Sequence, residues 1–201
     1  PANIANAMEL TAQKMVGSIG TAGSDISSAP ADIEALMAGM TGALGYTGID
    51  KTQLEAVLPK MTAGATVGLG YISMTEYDKD DLPNMVEKLS AGTTMALGKI
   101  EISGYTVDDL DDMVAKVTSG PTAALGRIKM DGYDHTYLDD MVEKVTYGAT
   151  AVLGKIEMTG YDESKLSGMI GKITAGATGS LGQISMTGYD YNYLDDMVEK
   201  V

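Results

Sequence analysis

Apolar residues along this chain fall at i, i+3, i+4 and i+7 within a stretch that recurs every 28 residues. In the clearest copy Leu138, Met141, Val142 and Val145 form the apolar face, while Asp139, Asp140, Glu143 and Lys144 lie between them. That spacing predicts an amphipathic helix, A, with Asp134 as its N-cap, acid in its first turn and a cation near its end. The apolar positions should be buried and the charged ones between them exposed. Further on, Val152, Leu153 and Ile156 share a second helical face and predict a helix B over 149–156. The two are expected to be separated at Gly148. The neighbouring copy reads Ser119-Gly120-Pro121-Thr122, where Pro121 lacks an N–H and disfavours the α region for Gly120. Repeats should share a backbone, so this break is expected in every copy. Gly154 is expected where two helices touch or helix B ends, so that Leu there would overpack the joint.

The register is marked by Tyr77, Tyr105, Tyr133, Tyr161 and Tyr189, then by a Leu five residues later and a Met three beyond it (85, 113, 141, 169 and 197). Each complete unit adds a Gly (92, 120, 148, 176), a Leu-Gly pair and an Ile. A fixed repeat this short predicts an all-α solenoid of helix pairs rather than a globular fold around one site. The organisation follows: 1–45 an atypical N-terminal helical cap, 46–76 a degenerate repeat, and 77–201 four 28-residue repeats with a terminal half-repeat, in one continuous array. Within the cap, helices are expected over 4–19 and 32–44, with a Gly/Ser/Ala-rich linker over 20–30. In the degenerate repeat Pro59 replaces Glu87 and should kink its helix. The tail Leu-x-x-Ile-x-Met resembles the strand signature of leucine-rich repeats, which would imply an α/β horseshoe. Thr-Gly-Tyr stands where that signature has Asn, and the Ala and Gly before it are poor strand formers. The all-α reading therefore leads.

Composition narrows the function. The net charge of −14 over 201 residues repels phosphate backbones, so nucleic acid is not an expected partner. No apolar run reaches the length of a transmembrane segment. Cysteine, Phe and Trp are absent, which removes disulfides and thiolate chemistry and leaves Leu, Ile, Val, Met and Ala to build the core.

Candidate chemistry dissolves on inspection. Gly148-x5-Gly154-Lys155-Ile156 has the wrong spacing for a phosphate loop and no Ser or Thr after the Lys. The clusters Asp78/Asp80/Asp81, Asp108/Asp109/Asp111/Asp112, Asp139/Asp140 and Asp195/Asp196 lack the alternating ligands and Gly turn of a calcium loop, and suit helix N-termini. His135 has no counterpart in other repeats and reads as a surface turn residue. The Met column belongs to the core. The five register tyrosines are expected to anchor the turns. No catalytic set, cofactor site or metal site emerges. The expectation is a non-enzymatic structural or scaffolding protein, extracellular or at the cell surface, that associates with copies of itself head to tail into a filament or layer. The edge formed by Leu194, Met197, Val198 and Val201 would carry that contact. The alternative is an extracellular binding module or adhesin that uses the repeat surface for a protein or glycan ligand, with calcium assisting.

Overall fold

A computed structural model describes residues 2–20 and 24–201; of the expected linker, residues 21–23 lie outside that description. Eight α-helices follow one another among the described residues: α1 (Ala2–Gly17), α2 (Ala29–Ala43), α3 (Lys51–Gly68), α4 (Leu82–Ala96), α5 (Leu110–Ala124), α6 (Leu138–Ala151), α7 (Leu166–Leu181) and α8 (Leu194–Glu199). The fold is an all-α repeat array. No strand occurs among the described residues, only an isolated parallel bridge between Asp25 and Thr75. The horseshoe alternative therefore fails. The tails do run extended from Ile72, Ile100, Ile128 and Ile156, Ile102 standing where the others have Met, but they form no ladder among the described residues.

Each repeat builds one α-helix, not two. α6 runs unbroken through Gly148, and α5 runs through both Gly120 and Pro121. The expected helix B is the last turn of α6 followed by a 3-10 turn, Leu153–Lys155, after which Ile156 turns the chain extended. Pro121 does remove one donor from the helix, yet packing on both sides of α5 outweighs that local preference. Pro59 likewise sits inside α3 without ending it.

The pairing that the sequence suggested within one repeat is made instead by two successive repeats. α1, α3, α5 and α7 pack on one another in one row; α2, α4, α6 and α8 form the second. Helices within a row are parallel, because contacts advance together along both: Glu9 meets Gly64 and Gln13 meets Gly68, just as Asp111 meets Gly168 and Ala115 meets Gly176. One full turn of the array thus takes two repeats.

The core lies between the rows. Leu138, Met141, Val142 and Val145 are fully buried, with Leu153 and Ile156 nearly so, while Asp140 and Glu143 face solvent. The whole Met column from Met85 to Met197 is buried. Helices start as the polar pattern demands: the Asp134 carboxylate accepts from the Thr136 backbone N–H, and Asp78 does the same for Asp80. After α3, α5, α6 and α7 the register tyrosine bonds backwards. The hydroxyls of Tyr77, Tyr133, Tyr161 and Tyr189 donate to the carbonyls of Leu69, Leu125, Leu153 and Leu181 at 2.8–3.1 Å, pinning the extended tail to the helix it leaves. Burial pushes the Tyr77 and Tyr133 hydroxyls well above the ordinary phenol range, so they remain donors. Tyr105 is buried too, but its hydroxyl has no hydrogen-bond partner among the described residues.

Candidate assembly interface

The joint between successive turns is the recurring interface of this molecule, and small residues create it. A Cβ at Gly64, Gly92, Gly120, Gly148 or Gly176 would overlap the carbonyl oxygen of Glu9, Glu34, Pro59, Glu87 or Ala115, each in the helix one turn back. The column therefore has to be glycine wherever a preceding turn lies behind it. A second set of glycines does the same for the tails. Gly45, Gly70, Gly98 and Gly126 lie against the backbone of Glu101, Lys129, Glu157 and Ser185 one turn further on. Gly154, by contrast, has no atom near its Cβ position among the described residues. Of the two placements expected for it, Gly154 takes the second: it lies in the 3-10 turn Leu153–Lys155 that ends the helical stretch, while the close approach expected there is not made among the described residues.

Charges stitch the same joints along the rim. Lys60 pairs with Glu9 at 3.0 Å, Lys88 with Glu34 at 2.7 Å, Lys144 with Glu87 at 2.9 Å and Lys200 with Glu143 at 3.5 Å. In the cluster around Asp108, Asp109 pairs with Lys51, Asp108 with Lys165 and Asp112 with Lys172, each across to a neighbouring turn. Glu9 also accepts from Arg127 at 2.9 Å. Burial tends to raise its pKa, but the Lys60 and Arg127 hydrogen bonds prevail and hold it below the usual range. Asp139 moves the other way, raised by burial and by the Asp196 carboxylate facing it. Among the described residues no three His, Asp or Glu side chains converge on a metal-sized site. His135 stands in the 3-10 turn His135–Tyr137, as expected of a turn residue, and is half-buried there. Its Nε2 lies 2.9 Å from the Tyr193 hydroxyl and the two rings meet edge on, one turn apart.

At the two outer turns the interface is left open. Leu58, Val86, Val114 and Val142 occupy one column and are fully buried beneath the turn that follows; the next two members, Ile170 and Val198, are 45% and 48% exposed. Of the edge residues singled out in the sequence, only Val198 is broadly exposed. Leu194 and Val201 are half-buried, and Met197 is committed to the core. Ile170 was not among them. Periodicity places it in the column but does not give its exposure.

The opposite end holds a cavity of about 480 Å³ between α1 and α2, with Met8, Met15, Leu36, Met40 and Leu44 in its walls and Gly39 at its edge. No sequence signal marks it, since its residues lie in the cap where the 28-residue register fades. The chain matches no protein-family model, and comparison with curated proteins and with solved structures finds no significant match to either. No helix among the described residues is long and apolar enough to cross a membrane.

Proposed function

We propose that this protein is a non-enzymatic structural or scaffolding element whose copies associate through the repeat array. The observation that carries the reading is that the array packs like turns on one another through one self-complementary joint: five glycines of one column each close on a carbonyl of the preceding turn, and Lys–Glu pairs recur along the rim. A surface that recognises its own neighbour so regularly suits the same surface on another copy. Many polar side chains among the described residues serve caps, turn anchors and rim ion pairs, and the net charge of −14 disfavours polyanionic partners.

The test is the mass of the purified 201-residue chain by light scattering across a concentration series, with calcium and with a chelator. A scaffold grows in mass with concentration, without added ligand and in either buffer. Val198→Asp should lower that growth while leaving the helical circular dichroism signal unchanged. A chain that stays monomeric throughout would defeat the proposal and favour the binding module, and growth only in calcium would favour the calcium-assisted adhesin.

A further inference from the structure

We infer that the outer side of the α3–α5–α7 row is a docking groove for a short acidic segment of a partner polypeptide, which presents carboxylates to Lys116 and Arg127. The groove lies on the flank of the array and goes beyond the self-association proposed above. It encloses about 430 Å³. Ala56, Pro59 and Ala63 of α3, Gly120 and Ala123 of α5 and Gln183 after α7 line it. Lys60 and Arg127 are its charged members, and among the described residues no carboxylate lines it.

The chemistry of the occupant follows from an ion-pair ladder that this row leaves incomplete. One helical turn before the packing glycine stands a lysine, and it pairs with a glutamate of the helix behind: Lys60 with Glu9, Lys88 with Glu34 and Lys144 with Glu87. The row of α2, α4, α6 and α8 keeps that glutamate throughout, as Glu34, Glu87, Glu143 and Glu199. The row of α1, α3, α5 and α7 has Glu9 and then Pro59, Ala115 and Gly171. Lys172, across from Ala115, turns to Asp112 at 2.9 Å instead. Lys116, across from Pro59, has no such recourse, because Ala56 stands where Asp112 serves Lys172. Among the described residues no ion pair engages Lys116. Both positions that lack a carboxylate, Ala56 and Pro59, line the groove. Arg127 and Lys60 share the single carboxylate of Glu9, which leaves positive charge in excess.

A carboxylate arriving from outside would do for Lys116 what Glu87 does for Lys144. Lys116 and Arg127 stand roughly 17 Å apart along α5 and the 3-10 turn that closes it. An extended chain of about five residues spans that distance. The small side chains between them let a peptide backbone come close. The net charge of −14 opposes a polyanion at long range. The occupant is therefore short, with its charges confined to the two ends that meet the cations.

The probe is a fluorescently labelled Glu-Ala-Ala-Ala-Glu peptide, blocked at both ends and titrated with the 201-residue chain while anisotropy is read. Binding should saturate and weaken as salt is added. Lys116→Gln and Arg127→Gln should each weaken it about threefold, and Ala123→Leu, which fills the groove, about tenfold. Lys116 and Ala123 are half-buried and Arg127 is exposed, so the fold should survive all three, as a circular dichroism melt would verify. Lys155→Gln alters the residue that matches Arg127 after α6 and should leave binding unchanged. The groove is overturned if the labelled peptide shows no saturable binding at low salt, or if Gln-Ala-Ala-Ala-Gln binds equally well. It is overturned too if Lys155→Gln weakens binding as much as Lys116→Gln, since the attraction would then be diffuse.

Discussion

Glu76 is the one non-glycine residue among those described with a positive φ, 66°, and the repeat explains why it stands out. It occupies the position of Gly104, Gly132, Gly160 and Gly188, all at φ between 76° and 85°, just before the register tyrosine. A side chain in that left-handed conformation is strained, and glycine is not. Glu76→Gly should therefore stabilise the protein by about 1 kcal/mol, less what glycine adds to the entropy of the unfolded chain. Urea unfolding followed by circular dichroism would measure it, and a loss of stability would show that Glu76 holds the turn by contacts of its own. The position was legible in the sequence as an irregular Glu-Tyr among Gly-Tyr pairs. The burial of Met197 was equally legible from its column, whereas the exposure of Ile170 depends on which turn lies over it.

At the level of the helix, periodicity placed the apolar columns of α3 to α6 correctly but fails for Ile170 and Val198, and local preference misplaced a boundary. Ser119-Gly120-Pro121 reads as a break because glycine and proline are both poor inside helices. The structure keeps the helix because Gly120 is needed where it is, against the Pro59 carbonyl of α3, and a break would pull that contact apart. A glycine that looks like a stop was a packing glycine. The same logic separates Gly120 from Gly154, which stand in different columns of the repeat. Gly120→Ala should destabilise by about 1–3 kcal/mol through overpacking, since backbone on the far side cannot step aside. Gly154→Ala meets open space and should be close to neutral. Equal melting temperatures for the two variants would contradict the close approach of α3 and α5.

Across the whole molecule, the unit of sequence and the unit of rotation differ by a factor of two. A repeat supplies one helix, and a turn requires two, so each helix packs chiefly on the one two places away. Every helix from α3 to α7 nevertheless carries the same Leu column and the same packing glycine, whichever row it occupies. The rows should therefore be interchangeable. Deleting residues 105–132 removes α5 and moves α6, α7 and α8 into opposite rows. Gly148 would then meet the Pro59 carbonyl in place of Gly120, and Gly176 would meet Glu87 in place of Gly148. The joints of α1 with α3, α2 with α4 and α6 with α8 survive unchanged. Lys144 loses Glu87, but Lys172 gains it. In an array whose stability is a sum of units and nearest-neighbour joints, the net loss is one helix and one joint. The shortened chain should fold with unchanged helicity per residue. It should unfold cooperatively at a lower urea midpoint, with a smaller m-value matching the surface removed. Loss of the cooperative transition would mean that the two rows carry distinct packing codes, and that a 56-residue pair, not the 28-residue repeat, is the smallest exchangeable piece of the fold.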